Sequence, residues 1–144
     1  AVKVYANIEK RNPIPLGNKN LLCRDAAGQF MPDNFIHELA FVIDGVLFTG
    51  CAHSSILNIL QSIDVPISLS IGGFHLLDAH LDQTYETDEQ LNRIAVRLHE
   101  DYPHVHFYTG HCTGDHCFDM ISQSNSTHIH QFHCGEEILL TSNE

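Results

Sequence analysis

Residues 47–53, Leu-Phe-Thr-Gly-Cys-Ala-His, run from an apolar, strand-like segment through a glycine into a cysteine and a histidine. Two later stretches repeat this arrangement, Gly-Gly-Phe-His at 72–75 and Gly-His-Cys-Thr-Gly at 110–114. Glycine allows the backbone to turn sharply, and loops at the rim of a sheet are where proteins gather binding side chains. The three stretches therefore predict a metal site assembled from the ends of strands.

The composition is that of one acidic globular domain or part of one. The 144 residues include 7 Lys and Arg, 18 Asp and Glu and 12 His, for a formal net charge of −11. This balance disfavours nucleic acid and anionic membrane surfaces as partners. The sequence also lacks the run of about 18 apolar residues that a membrane span needs, so we expect no membrane partner.

The cysteines favour a reducing compartment. There are five of them, and an odd number in a chain without a secretory signal argues against a disulfide framework and for a cytoplasmic location. Cys112 and Cys117 have the spacing of half a zinc finger, but no second pair with such spacing follows. We therefore predict that the cysteines are free.

Local signals predict a mixed α/β fold. Asp44-Gly45 separates two apolar runs and predicts a β-hairpin, whereas Thr87 and Gln90 match a capping box that opens a helix. Ser54 is a candidate cap for an earlier helix. The predicted elements are strands over 2–6, 38–44, 46–51, 66–71 and 105–108, helices over 54–63, 87–102 and 115–122, one or two closing strands within 129–140, and an irregular or ragged hairpin segment over 10–36.

The candidate site residues follow the three glycine turns. A hydrolytic metal site needs ligands that converge from separate elements and an open position for water, and Cys51, His53 and His111 are suited to this. Thr113 and Gly114 directly precede the predicted helix 115–122. Because free N–H groups at a helix N-terminus attract anions, these two residues are predicted to bind a phosphate or carboxylate of a substrate.

At this point the sequence resembles a known family. Residues 46–54 followed by Asn58, then 72–76 and 110–114, resemble in order three signatures of metallo-β-lactamase-fold hydrolases. The similar subfamily is that of the dihydropterin-ribofuranosylaminobenzene-phosphate synthase-like proteins. The resemblance extends over roughly residues 32–140, with Asp33 and Glu38 ahead of the first signature.

The resemblance implies an α/β (α+β) fold, namely half of an αββα sandwich with a two-metal site at one edge. Zinc is the expected metal, with iron or manganese as alternatives. His53 and His111 are then the implied metal ligands, and His75 is the implied catalytic residue in the pocket. Cys51 stands where many members of the wider superfamily have a bridging Asp, so a thiolate ligand is also implied.

The sequence departs from the family in one respect, since the His-x-His-x-Asp-His motif that supplies most metal ligands is absent. Three explanations stay open: a fragment of a longer chain, a subunit completed by a companion polypeptide, or a relative without catalysis. We expect residues 1–144 to be the C-terminal part of a single domain, with an irregular leading segment over 1–36 and a strand–helix core over 37–144. On its own this part is expected to be inactive.

Two classes of function therefore compete. The first is a metal-dependent hydrolase that uses metal-activated water on a small ester-type substrate, for example a phosphoester. The second is a non-catalytic metal- or ligand-binding module that needs a partner chain, with homo-oligomerisation as a further option. In a third interpretation, the histidine-rich C-terminal part buffers metal at its surface, through His104, His106, His116, His128, His130 and His133.

Overall fold

The computed structural model describes residues 1–123 and 127–140. In that part of the chain, a six-stranded sheet and three α-helices confirm the mixed α/β fold, and a separate two-stranded hairpin is added to them. The elements in chain order are β1 (Val2–Tyr5), a 3₁₀ helix (Leu16–Asn20), β2 (Leu22–Arg24), β3 (Phe30–Pro32), β4 (Ala40–Ile43), β5 (Val46–Thr49), α1 (Ile56–Ser62), β6 (Leu69–Ile71), α2 (Asp88–Asp101), β7 (His106–Thr109), α3 (Asp115–Ser122) and β8 (Ile129–Gln131).

The large sheet has the order β1-β4-β5-β6-β7-β8. Strands β1, β4 and β5 pair antiparallel, and β5 to β8 pair parallel. Asp44 and Gly45 form the predicted turn between β4 and β5, with φ angles of +48° and +78°. Both values suit the tight turn whose twist matches that of its strands.

All three helices pack on one face of the sheet. Each connects two neighbouring parallel strands, and such connections are almost always right-handed, so a strand order that advances in one direction places them on the same side. One core accordingly joins the inward side chains of the strands to those of the helices. It includes Val42, Leu47, Phe107 and Ile129 from the strands, and Ile59, Leu60, Leu91, Ala95, Leu98 and Ile121 from the helices.

The predicted capping box of α2 is confirmed, whereas the predicted cap of α1 is wrong. The backbone N–H of Gln90 donates to Thr87 Oγ1 over 3.3 Å, and Thr87 N–H donates to Gln90 Oε1 over 2.8 Å, which completes the capping box. Ser54 does not cap α1, which begins only at Ile56. The N-cap position is taken by Ser55, whose φ is +76° and whose side chain makes no capping hydrogen bond.

Several other segments also differ from their predicted extent; β4, for example, begins at Ala40 rather than at residue 38, and β5 ends at Thr49 rather than at residue 51. β6 begins at Leu69 rather than at residue 66, where a proline without an N–H cannot donate to the sheet. The closing region 129–140 contains the three-residue strand β8 and, among its described residues, no second strand. The predicted core 37–144 includes residues 124–126 and 141–144, which lie outside the described part, and its outer bounds stay a prediction.

The sheet face opposite the helices is partly open. Val2 and Val4 on β1 are 62% and 61% exposed, and Phe41 on β4 stacks on Phe48 of β5 with ring centroids 5.3 Å apart. Towards the other edge of this face, Tyr108 stacks on His130 at 4.7 Å. No helix in the described ranges has the length and hydrophobicity to cross a bilayer.

Candidate active site

The three glycine turns meet at one edge of the sheet, where the parallel strands β5, β6 and β7 end. Gly73 N–H donates to Gly50 O over 2.9 Å, Gly72 N–H donates to Tyr108 O over 3.1 Å, and Gly114 N–H donates to Leu76 O over 2.8 Å. The backbone of all three segments is therefore tied together. Parallel topology brings about this convergence, because it places the carboxyl ends of neighbouring strands side by side.

Glycine is required at the second of these turns. A Cβ on Gly72 would lie 2.6 Å from the backbone oxygen of Thr49, and the φ of Gly72 is +156°. A Cβ on Gly73 would lie 2.3 Å from the sulfur of Cys112. Only a residue without a side chain lets β6 leave the sheet so close to its neighbours.

Strained backbone marks the same edge. Ala52, His75 and His111 have φ angles of +56°, +49° and +55°, in the left-handed region that costs a non-glycine residue roughly 1–2 kcal/mol. Each lies within one of the three turns. Such strain is concentrated at functional sites, where the surrounding structure holds it in place.

Asn18 fixes the protonation and orientation of His53. Its Nδ2 donates to the backbone oxygen of His53 over 2.8 Å, which turns Oδ1 towards the ring, 2.9 Å from His53 Nδ1. Since an amide oxygen only accepts, the proton of the neutral imidazole lies on Nδ1 and the lone pair on Nε2. A metal-binding histidine is held in this way by a partner behind it.

Two further side chains secure the turn that carries His53. The carboxylate of Glu38, which is only 9% exposed, accepts the backbone N–H groups of His53 and Ser54 at 2.6 and 2.7 Å. The ring of Phe35 stacks on that of His53, with centroids 4.2 Å apart and planes 10° apart. The position of His53 is therefore set by the backbone as well as by the ring.

His75 lies against His53 and has no polar partner. It is 8% exposed, the two ring centroids are 4.3 Å apart, and among the described residues neither of its ring nitrogens has a hydrogen-bond partner. Leaving a buried polar group unpaired costs about 1–3 kcal/mol. A bound ligand or metal would relieve this cost.

Burial keeps both rings uncharged near neutral pH. It lowers the pKa of His53, against the opposing effect of Glu38 and Asp33. It also lowers the pKa of His75; the neighbouring His53 adds to this effect, and the nearby backbone of Gly17 and the charge of Glu38 oppose it. A neutral imidazole has the free lone pair that ligation or proton abstraction requires.

His111 and Cys51 complete the predicted ligands. His111 is exposed after the end of β7 and lies close enough to His75 for its charge to lower the pKa of His75. Cys51 is half-buried, and its backbone oxygen lies 3.8 Å from the sulfur of Cys112. Burial raises the pKa of Cys112 to about 12, so its thiol is protonated in the metal-free chain.

The donors of this edge suit a metal but do not complete a metal site. The free Nε2 of His53 and the unpartnered ring of His75 have the chemistry of imidazole ligands to zinc. However, the described residues contain no group of three or more His, Cys, Asp or Glu side chains placed to hold one ion.

The predicted anion site at α3 is filled by the protein itself. Asp78 accepts the backbone N–H of Cys117 at Oδ1 (3.0 Å) and that of His116 at Oδ2 (3.2 Å). Burial opposes its ionisation, but these two N–H groups lower the pKa of Asp78 below its ordinary value. A Cβ on Gly114 would lie 2.3 Å from the Asp78 carboxyl carbon, so the close approach depends on that glycine.

Thr113 is a buried connector between two of the turns. Its hydroxyl accepts Phe74 N–H over 3.0 Å and pairs with the hydroxyl of Thr109 over 2.7 Å. The neighbouring sulfur of Cys112 accepts the backbone N–H of His75 at 3.2 Å. These contacts position the loop that carries His75.

Asn18 and Asp78 carry no signal in the sequence. Asn18 lies in the irregular 10–36 segment, 35 residues before His53, and no local pattern marks it. The partners of Asp78 lie 38 and 39 residues further along the chain, so its role depends on tertiary packing. Glu38 was noted ahead of the first signature, but its contacts to the backbone at 53–54 were not foreseen.

Three of the six C-terminal histidines form a cluster, and the other three do not. His106 Nδ1 lies 3.1 Å from His130 Nε2, and the His106 and His128 rings are 4.7 Å apart, so these three cluster on the sheet. His116 instead pairs with Asp88 over 2.8 Å. His104 and His133 are exposed.

Comparison with known proteins finds relatives that are similar in sequence over part of their length and a solved structure of similar fold. No protein-family model matches it. It is 27% identical over 120 residues to 7,8-dihydropterin-6-methyl-4-(β-D-ribofuranosyl)-aminobenzene-5′-phosphate synthase of Methanocaldococcus jannaschii, covering 77% of this chain and 38% of that protein. It is 28% identical over 103 residues to the uncharacterized protein MJ0448 of the same organism, covering 69% of this chain and 36% of that protein.

The solved structure of Tm1679, a metal-dependent hydrolase of the β-lactamase superfamily, has a similar fold. The TM-score is 0.78 at 23% identity, and the similarity covers 97% of this chain and 54% of Tm1679. The fold predicted from the sequence resemblance is thereby confirmed. The chain spans less than two fifths of the two curated relatives and about half of the solved one.

Proposed function

We propose that this chain contributes half of the active site of a metal-dependent hydrolase that acts on a small ester-type substrate, a phosphoester for instance. The observation that carries the proposal is the pair His53 and His75. Asn18 leaves the lone pair of His53 on Nε2, and the adjacent buried ring of His75 has no polar partner within the described ranges. The similarity to Tm1679 supports the fold on which such chemistry is built.

In this proposal His53 and His111 hold metal, with Cys51 as a further ligand, and His75 faces the substrate. A divalent ion such as zinc, when bound, lowers the pKa of a coordinated water towards 7 and so supplies the hydroxide nucleophile; iron or manganese would serve the same purpose. The residues of this chain prepare that chemistry. Asn18 keeps the His53 proton on Nδ1, and burial keeps His75 neutral and able to accept a proton.

In this proposal Thr113 and Gly114 have positioning roles. An anionic substrate group at the start of α3 would compete with the carboxylate of Asp78, which already accepts two of the N–H groups there. We therefore assign Thr113 the task of holding the 74–75 backbone, through its bond to Phe74 N–H. Gly114 admits Asp78, and any contact of these two residues with the substrate is made beside that carboxylate.

The proposal requires a second half of the active site, which a companion polypeptide or a further part of the same domain supplies. The similarity spans 54% of Tm1679, and the sheet face opposite the helices is partly open. A second layer on that face would complete the αββα sandwich and add the missing ligands. All five cysteines are free, which supports a cytoplasmic location.

The alternative is a non-catalytic binding module. The observation in its favour is the incomplete donor set among the described residues. Both functions predict metal binding at His53, and only the hydrolase predicts turnover once the second half is present.

The first experiment is a titration of the chain with Zn²⁺ and Co²⁺, followed by calorimetry and by the visible absorption of cobalt. We expect His53→Ala and His111→Ala each to weaken binding about tenfold or more, by loss of an imidazole ligand. His104→Ala is the matched control, since His104 is exposed and away from the three turns. Equal affinities for all four proteins would refute the assignment of the ligands.

A second variant tests the positioning of His53. Asn18→Ala should weaken metal binding by roughly 10–100-fold, the usual cost of losing the partner behind a metal-bound histidine. Nitrogen chemical shifts of His53 should also show its proton shared between both ring positions. Asn20→Ala is the control in the same 3₁₀ helix, because Asn20 Nδ2 donates to the Tyr85 hydroxyl instead.

Turnover separates the two functions. With the second half present, wild-type protein should hydrolyse bis(p-nitrophenyl) phosphate or a comparable ester in a metal-dependent way, and His75→Ala should lose most of this activity while keeping its metal. Full metal loading without hydrolysis of any ester in such a panel would favour the binding module.

A further inference from the structure

Three histidines of the C-terminal part lie together on the sheet face opposite the helices. Phe107 on β7 and its register partner Ile129 on β8 belong to the core that is shared with the helices. Side chains alternate between the two faces along a strand, so the residues next to them face the other way. These residues are His106, His128 and His130, which we call the three-histidine cluster.

Two rings of the cluster are in direct contact. His106 Nδ1 lies 3.1 Å from His130 Nε2, and the planes of the two rings are 13° apart. Tyr108 stacks on His130 with ring centroids 4.7 Å apart, which fixes that ring from the other side. His106 and His130 are half-buried rather than buried, so solvent still reaches their side chains.

The cluster is separate from the candidate active site. His106 is the first residue of β7, whereas the turn that carries His111 follows the last residue of that strand. The length of β7, roughly 10 Å at about 3.3 Å per residue, therefore lies between His106 and that turn. A metal ion at the cluster would be a second centre.

The spacing of the two ring nitrogens suits one metal ion. Zinc–imidazole bonds are about 2.0–2.1 Å long, so an ion bound to two nitrogens 3.1 Å apart has an N–metal–N angle of roughly 95–100°. This value lies between the right angle of square and octahedral sites and the tetrahedral angle. Imidazole is a good ligand for several ions with these geometries, among them zinc, nickel and copper.

Ligation requires only a change of tautomer. In the metal-free chain, the N–H of one ring lies between His106 Nδ1 and His130 Nε2. A neutral imidazole carries one proton, on either of its two nitrogens. When the donating ring moves its proton to its other nitrogen, both facing nitrogens have a free lone pair and both rings stay neutral.

The third ring does not take part. His128 Nδ1 is buried, so an ion does not reach it, although the ring centroid lies 4.7 Å from that of His106. Within the described ranges, no three His, Cys, Asp or Glu side chains are placed to hold one ion. The site therefore has two protein ligands, one from each of two neighbouring strands.

We propose that His106 and His130 together bind one divalent first-row metal ion, such as Ni²⁺ or Zn²⁺, with water in the remaining positions. The ion links β8 to β7. β8 has three residues and, among the described strands, a neighbour on one side only. Because the folded chain alone holds the two rings side by side, the bound ion stabilises the folded state. The proposal does not depend on hydrolase activity.

NMR with Ni²⁺ as the probe locates the ion, because its paramagnetism broadens signals close to it. Ni²⁺ is titrated into the ¹⁵N-labelled chain. We expect the backbone signals of residues 105–108 and 128–131 to broaden as one group. The signals of residues 51–53 and 74–76 report separately on the candidate active site, so the failure of either metal proposal is seen independently of the other.

Variants assign the binding to the two rings. His106→Ala and His130→Ala should each weaken Ni²⁺ binding at this group of signals about tenfold or more, since removing a ligand costs at least as much as removing its supporting partner. Their thermal midpoints should also rise less with Ni²⁺ than that of wild type. His104→Ala is the matched control, because His104 is exposed just ahead of β7 and should bind as wild type does.

Several results would overturn the proposal. These are the absence of broadening at 105–108 and 128–131, equal broadening there in wild type and in His106→Ala or His130→Ala, or a loss in His104→Ala as large as that in the cluster variants. If the alanine variants do not fold, the map of broadened signals in the wild-type chain still decides.

Discussion

Gly72 shows how a single hydrogen atom in place of a side chain permits the active-site edge to form. The backbone of β6 leaves the sheet directly beside Thr49, so that any Cβ at this position would overlap the Thr49 carbonyl oxygen. Backbone atoms cannot swing aside as a flexible side chain can. The whole turn that carries His75 would have to move outward instead.

We therefore predict that Gly72→Ala destabilises the fold by about 2–3 kcal/mol, the upper range for overpacking a close contact. Chemical denaturation followed by circular dichroism measures this as a lower midpoint. Gly50→Ala is the control in the neighbouring turn, since no described atom lies within 4 Å of a Cβ there. A Gly72→Ala protein as stable as Gly50→Ala would show that the edge is more plastic than its geometry indicates.

At the residue scale, sequence and structure agree where the signal is local. Gly50, Gly72 and Gly110 mark the three turns in the sequence, although only Gly72 has a positive φ itself; in the other two turns Ala52 and His111 adopt it. The partner of a ring nitrogen carries no such signal, because Asn18 reaches His53 only after the irregular 10–36 segment has folded over the edge. The roles of His53, His75 and His111 in metal binding and catalysis stay predictions until metal or substrate is bound.

At the scale of elements, α3 depends on a carboxylate from elsewhere in the chain. Asp78 takes the place of an N-cap side chain, which the preceding Gly114 lacks. It thereby joins the β6–α2 loop to the first turn of α3. The sequence predicts both the helix and its first residue correctly. Which group accepts the free N–H groups of the first turn depends on tertiary packing.

We predict that Asp78→Asn lowers the free energy of unfolding by about 1 kcal/mol near pH 7, in line with the loss of a helix cap. Because the folded-state pKa of Asp78 lies below the ordinary value of 3.8, its contribution is complete above that value and is lost as the pH falls through the folded-state pKa. The stabilities of the two proteins should therefore converge in strong acid.

Thermal unfolding between pH 7 and pH 2 measures this difference. Asp82→Asn, in the exposed part of the same loop, is the control and should follow wild type throughout. A gap between Asp78→Asn and wild type that stays constant down to the lowest pH would show that the carboxylate contributes by packing rather than by charge.

At the scale of the whole molecule, the one-sided arrangement of helices leaves an apolar sheet face partly open. Phe41 is 39% exposed and, with Val2 and Val4, extends this surface across β1 and β4. Continuous apolar patches of this kind usually mark an interface. The resemblance to half of a sandwich is in line with such an uncovered face, which local sequence patterns alone do not indicate.

We predict that the isolated chain self-associates through this face in a concentration-dependent way. Sedimentation velocity should show Phe41→Glu shifted towards the monomer, because a charge in the patch must be desolvated on association. Leu81→Glu adds the same charge at a loop residue that is 91% exposed and should behave as wild type. A wild-type chain that is monomeric at every concentration would argue against association through this face.

The order of the strands in the sheet also has a consequence for the way the chain folds. From β4 to β8, each strand pairs with the one that follows it in the sequence, so every new strand closes a loop only as long as one turn or one helical connection. Short loops cost little entropy to close, and contacts between near neighbours in sequence speed folding. Assembly can therefore begin at the hairpin around Asp44 and Gly45 and advance one strand at a time. β1 pairs with β4 across the 3₁₀ and β2–β3 region, a connection of 34 residues (6–39) that is as long as the one between β6 and β7 (72–105). Closing this connection also brings Asn18 to His53.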